Sequence, residues 1–258
     1  MRPAAAAVFA TAVLGATAIA DEIPLADRKS GYEFMARETR AMQDDDTANP
    51  ATLWVLDGEA LWKRKEGAAA KSCADCHGDA RVSMKGVAAR YPAFDPMLDR
   101  PVDLEQRVNR CRTEHQGVAP LAWESADLLA LTVYVAHQSR GLPIAVQKNA
   151  ELGPFFEEGG ELFHRRQGQL NLSCSQCHDD NWGKRLAGAV IPQGHPTGYP
   201  VYRLEWQSLG SLQRRLRGCM IGVRAEPFEY GAPQAVAFEL YLMGRAAGMP
   251  LETPAVRP

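Results

Sequence analysis

Neither sign of charge dominates this 258-residue chain: 29 Lys and Arg face 31 Asp and Glu, for a formal net charge of −2. It lacks the basic excess that would draw in nucleic acid or an anionic membrane. Beyond the first twenty residues no apolar run is long enough to cross a bilayer, so no membrane span is expected in the mature protein. Spare cysteine is also lacking. Of six cysteines, Cys73, Cys76, Cys174 and Cys177 fall in two C-x-x-C-H motifs ending at His77 and His178, and only Cys111 and Cys219 remain. A three-disulfide framework, the common use of six cysteines in an exported protein, is therefore excluded. Either the last two join each other or each has its own task.

What is present begins with an export signal. Arg2 gives a small positive start, Ala4 to Ile19 is almost wholly apolar, and Ala18-Ile-Ala20 is a small-x-small cleavage site before Asp21. Residues 1–20 are expected to be removed and the mature protein to reside in the periplasm. Residues 21–50 carry several charges, including Asp44-Asp-Asp46, and no sustained apolar period. They read as an N-terminal extension, packed on the first domain or on a partner, with the acidic triplet as a solvated loop.

The remainder is an internal repeat. Residues 58–79 align without a gap on 159–180, pairing Gly58 with Gly159, Trp62 with Phe163, Cys73 with Cys174, Cys76 with Cys177 and His77 with His178. Further on, Tyr91-Pro92 matches Tyr199-Pro200, Leu104 to Cys111 matches Leu212 to Cys219, and Tyr134, Gly141 and Pro143 match Tyr241, Gly248 and Pro250. C-x-x-C-H is the haem c attachment pattern: two thiols to add to the porphyrin vinyl groups and an imidazole for one face of the iron. Each copy reads as helix, attachment segment, irregular Gly/Pro-rich stretch, helix ending in cysteine and final apolar helix. The expected fold is all-α, with two tandem cytochrome c-like domains, 51–147 and 148–258, joined near 144–150, each with one covalent haem c.

Cys111 and Cys219 are equivalent in the repeat, so they are expected to do equivalent work. Rival sixth ligands are Met84, Met97, His115 and His137 in the first copy and His195, Met220, Met243 and Met249 in the second, but none recurs at equivalent positions. This favours cysteine opposite histidine at both irons. Leu212, Leu216 and Cys219 share one helix face, which predicts a buried thiol, and Arg215 lies one turn before Cys219. The copies differ in charge. Around Cys111, Asp103, Glu105 and Glu114 balance Arg107, Arg110 and Arg112, whereas Ser208 to Arg224 holds Arg214, Arg215, Arg217 and Arg224 and no acid. An anionic substrate is expected at the second copy. Arg214 and Arg217 read as a solvated helix face.

Two C-x-x-C-H domains, a lone cysteine after each, and R-x-x-x-C at Arg215 to Cys219 together resemble the SoxA family, the haem subunits of the SoxAX cytochromes of thiosulfate oxidation. The resemblance covers roughly residues 50–250, and Cys73, Cys76, His77 and Cys111 place the chain with the dihaem type. It implies that His77 and Cys111 are axial at haem 1 and His178 and Cys219 at haem 2. It further implies that Cys219 is the catalytic sulfur, found as a persulfide in the family, and that Arg215 binds substrate. Arg107 holds the place of Arg215 in the first copy, so R-x-x-x-C alone does not mark catalysis. The implied activity is L-cysteine S-thiosulfotransferase, joining thiosulfate to a cysteine of the SoxY carrier in SoxYZ. The monohaem cytochrome SoxX is the implied heterodimer partner and electron acceptor. The competing readings are a thiosulfate dehydrogenase releasing tetrathionate, a plain dihaem electron carrier and a dihaem peroxidase.

Overall fold

The computed structural model describes residues 23–258; the predicted export signal lies outside them. In the first copy the helices are α2 (Ala51–Lys63), α3 (Cys73–His77), α4 (Ala80–Ser83), α5 (Leu104–Cys111) and α6 (Ala126–His137), preceded by α1 (Arg37–Asp44) of the extension. In the second they are α7 (Gly153–His164), α8 (Cys174–His178), α9 (Leu212–Gly222) and α10 (Pro233–Arg245). The all-α expectation holds for the scaffold. The irregular stretches also contain short ribbons: β1 (Ala93–Asp95) with β2 (Arg100–Val102), β3 (Arg185–Leu186) with β4 (Ala189–Val190), and β5 (Val201–Arg203) between β6 (Ser208–Gly210) and β7 (Ala255–Arg257). β1 and β5 follow the two equivalent Tyr-Pro pairs and lead into the equivalent helices α5 and α9.

Each copy is framed by its first and last long helices, α2 on α6 and α7 on α10. The crossings are tight because of glycine. A Cβ on Gly58 would run into the Ala130 carbonyl, and one on Gly159 into the Ala237 carbonyl. Ser125 caps α6 by accepting from the Leu128 amide. From Leu128 to Ala136 that helix is buried on all sides, as its unbroken apolar run requires. One apolar cluster runs through both copies, from Trp62, Leu129 and Val133 to Leu240, Met243 and Val256. The connection is held as well: Ile144 N donates to Met249 O at 2.9 Å and Ala145 N to Ala89 O at 2.8 Å.

The extension departs from expectation, because its contacts are largely with the second half. The Lys29 amide donates to Gln193 Oε1 at 2.6 Å, Arg28 Nη1 to Ala247 O at 2.7 Å and Asn49 Nδ2 to Pro254 O at 2.9 Å. Gln43 accepts from the Val256 amide at 3.1 Å on β7. These bonds recruit polar side chains, so no apolar period announces them.

Between the copies lies a buried acidic cluster of Asp103, Glu105 and Glu239, bridged by Gln213, which donates to Asp103 Oδ2 at 2.7 Å. Burial pushes the carboxyls up, Asp103 to about 7, Glu105 to about 8 and Glu239 well above the usual range, with repulsion from Asp103 adding to it at Glu105 and Glu239. The folded chain thus retains protons that the unfolded chain releases above about pH 4. Stability contributed by these groups is present at low pH and lost as pH rises toward 8, at up to about 1.4 kcal/mol per group per pH unit. Glu105→Gln is expected to flatten the fall of Tm between pH 5 and 8.5, measured by thermal denaturation of the holoprotein. Parallel curves for variant and parent would contradict this.

Candidate functional site

Both attachment segments are single helical turns with reciprocal caps. Ser72 Oγ accepts from the Asp75 amide at 3.1 Å while Asp75 Oδ2 accepts from the Ser72 amide at 2.8 Å. Ser173 and Gln176 repeat the arrangement at 3.3 and 2.9 Å. A capped turn sets the two cysteines, three residues apart, on one side with the histidine directly after them.

In the first copy a cleft of about 230 Å³ is lined by all four expected haem residues, Cys73, Cys76, His77 and Cys111, among apolar side chains such as Trp62, Leu104 and Leu131. Met84 and His115, two of the rival ligands, also border it. The donor set and apolar lining fit a c-type haem. Burial pushes the Cys111 thiol up, with Arg107 pulling it down.

In the second copy His178 is oriented by its surroundings. Its Nδ1 lies 2.7 Å from Pro192 O; a carbonyl can only accept, so Nδ1 carries the proton and Nε2 presents its lone pair. Burial lowers the imidazole pKa and keeps the ring neutral. Gly194, at φ +76°, lets the backbone pass so close that a Cβ would stand 3.0 Å from His178 Cγ. After the ring, Asp179 takes a 2.6 Å ion pair from the buried Arg245, whose guanidinium lies over Phe163. Cys174, Cys177 and Cys219 are close enough to repel as thiolates, and burial with that repulsion drives Cys174 up to about 12. This neutral imidazole and these grouped sulfurs again fit haem c.

The two distal cysteines stand in different surroundings. Cys111 is half-buried behind a balanced network: buried Asp95 accepts from Arg107 Nη2 at 2.8 Å and also from Arg110, Arg110 pairs with Glu114 at 2.8 Å, and Arg112 pairs with Glu66 at 2.7 Å. The repeat register replaces Asp95 by Arg203, Arg110 by Gly218, Arg112 by Met220, Glu114 by Gly222 and Glu66 by Gln167. Apart from the Arg107 and Arg215 pair, the members of that network are absent from the second copy. On the polypeptide alone the Cys219 thiol is exposed, as is that of Cys76 in the first attachment motif, while Leu212 of the same helix turns inward.

Arg215 lies where the helix spacing predicts, beside Cys219. Burial works against its charge, yet Cys219, Tyr199 and Glu205 hold its pKa above the usual arginine value. Arg214 and Arg217 are not simply solvated: the first stacks over Trp206 at 4.3 Å and the second over Tyr230 at 4.6 Å. Both are occupied with aromatic rings, whereas the Arg215 charge interacts with the sulfur. The sequence reading missed Arg203. Its signal was available, since the register that pairs Tyr91 with Tyr199 also sets Arg203 against Asp95.

Comparison with known proteins points the same way. The SoxA/TsdA cytochrome c domain model matches residues 57–144 and 158–251. The chain is 40% identical over 235 residues to the L-cysteine S-thiosulfotransferase subunit SoxA of Pseudaminobacter salicylatoxidans, covering 91% of this chain and 82% of the relative. It is 36% identical to the subunit of the same name from Rhodovulum sulfidophilum, covering 90% and 83%. Among solved structures, SoxXA from P. pantotrophus superposes with a TM-score of 0.86 at 34% identity, covering 90% of this chain and 87% of that one.

Proposed function

The chain belongs to the SoxA/TsdA cytochrome c family, and from that premise we propose that it catalyses the L-cysteine S-thiosulfotransferase reaction, joining thiosulfate to a carrier cysteine. The balance is R–SH + S2O3²⁻ → R–S–SSO3⁻ + H⁺ + 2e⁻, with R–SH the cysteine of the SoxY component of SoxYZ. One S–S bond forms, and two electrons leave. Haem c supplies the one-electron acceptors when bound, and the SoxX cytochrome partner takes the electrons onward. Two haems are proposed, held by Cys73 and Cys76 with His77 and Cys111, and by Cys174 and Cys177 with His178 and Cys219. The domain limits 51–147 and 148–258 follow from the same assignment.

The observation that carries the reading is the charge contrast between the two cysteines: Arg215 stands beside Cys219 where the repeat has lost the acid that pairs Arg107, while Cys111 sits behind a neutralised network. Arg215 would receive the sulfonate of thiosulfate through charge-assisted hydrogen bonds. Product analysis tests the reaction. With thiosulfate and the carrier present, the expected product is a carrier adduct; tetrathionate released without carrier would instead mark a thiosulfate dehydrogenase.

Periplasmic location rests on the export signal and on the haem c chemistry of the family; no helix among the described residues is long and apolar enough to cross a membrane. The intact mass of the purified holoprotein is expected to fit a chain beginning at Asp21 and carrying two haems. Retention of Met1, or the mass of one haem, would contradict the assignment.

A further inference from the structure

We infer that Arg203 forms with Arg215 a two-guanidinium clamp for the sulfonate end of the substrate, and that Glu205 is a resident carboxylate the substrate displaces. The inference deepens the proposed function and rests on it for the identity of the anion.

It starts from the repeat. Asp95 at the end of β1 accepts from Arg107 and Arg110 and from the amides of Met97 and Leu98 at 3.0 and 3.2 Å. The same place at the end of β5 carries Arg203, so a carboxylate facing the cysteine-side arginine in one copy is a guanidinium in the other. The acid that satisfies Arg107 is gone, and a second cation has taken its position.

Two guanidinium groups side by side repel unless an anion lies between them. Burial and the neighbouring Arg215 both lower the Arg203 pKa. Among the described residues Glu205 is the carboxylate within ion-pair distance of both: one oxygen, Oε1, is 2.7 Å from Arg203 Nε and 3.9 Å from Arg215 Nη1. The fit is poor. The Arg203 contact is too oblique for a hydrogen bond and leaves a buried Nε–H without an acceptor, while 3.9 Å is beyond hydrogen-bond reach of Arg215. Arg203 is fixed, with its side chain 14% exposed and its guanidinium 5.2 Å over Trp206; Glu205 is 50% exposed and free to swing outward. Arg215 and Cys219 are four residues apart on α9, which sets the clamp one helical turn from the sulfur.

A dianion with a three-oxygen head suits such a clamp better than a single carboxylate, since it can accept from both planar forks at once. The sulfonate would sit on the arginines and leave the terminal sulfur toward Cys219. Glu205 would then act as a competing internal anion, neutralising the pair when substrate is absent.

The test uses the holoprotein with its cytochrome partner and two measurements, steady-state conjugation and calorimetric binding of sulfate, a non-reacting dianion. Arg203→Ala is expected to raise KM for thiosulfate tenfold or more, with the loss falling on KM rather than kcat, and to weaken sulfate binding in parallel. Glu205→Gln is expected to lower KM and tighten sulfate binding severalfold. This exposed substitution keeps the inference falsifiable should Arg203→Ala destabilise the strand. Unchanged KM and sulfate affinity in Arg203→Ala would overturn the clamp, and weaker binding in Glu205→Gln would overturn the competitor role. A wild-type protein that binds sulfate through Arg203 but forms no carrier adduct would retain the clamp and reject the thiosulfotransferase reading.

Discussion

Replacing Cys219 by Ala is expected to abolish carrier conjugation to background while haem 2 stays attached. The two consequences separate because different sulfurs bear them. Cys174 and Cys177 lie on α8, held by the cap between Ser173 and Gln176, and attachment through them does not pass through α9. Cys219 lies on a different helix, α9, so removing its sulfur leaves the attachment segment and its cap untouched. Intact mass of the carrier and the haem content of the variant are the two readouts. Residual conjugation above background would show that the reacting sulfur lies elsewhere. Cys111→Met is the companion: it is expected to alter the haem 1 spectrum alone and leave conjugation largely intact.

Arg215→Ala is expected to lower kcat/KM for thiosulfate by roughly 2 kcal/mol, the low end of the range for losing one partner of a buried charge pair, because the Arg215 side chain is 39% exposed and solvent screens part of the interaction. Arg215→Lys keeps the charge but loses the planar fork, so its loss falls between parent and Ala. Arg107→Ala is the internal control. It deletes the equivalent residue, yet there the guanidinium already bonds Asp95 and Tyr91, and Arg110 remains to neutralise the acid. Its effect is expected to be at least tenfold smaller. Equal impairment of the two variants would mean that the charge difference between the copies does not decide where thiosulfate is used.

Much of this was legible in the chain because covalent haem attachment needs a contiguous motif, and a repeat makes two copies check each other. Cys73, Cys76 and His77 fall in one cleft with Cys111 as expected, and the caps of α6 and the span of α10 follow their sequence signals. What was not legible depends on contacts between distant segments. The extension was expected on the first domain or a partner, but Lys29 and Gln43 bond side chains and backbone of the second half, and hydrogen bonds leave no period in sequence. Arg203 lies on β5, one strand before the Ser208 to Arg224 stretch whose lack of acid is visible in sequence.

The most direct test of where the chemistry resides is peptide mass spectrometry of the holoprotein after incubation with thiosulfate, reading the Cys219 and Cys111 peptides separately. Part of the Cys219 population is expected to carry at least one additional sulfur, as persulfidation allows, and the Cys111 peptide none. Added sulfur on Cys111, or on neither cysteine in a preparation that conjugates the carrier, would contradict the assignment of catalysis to the second domain.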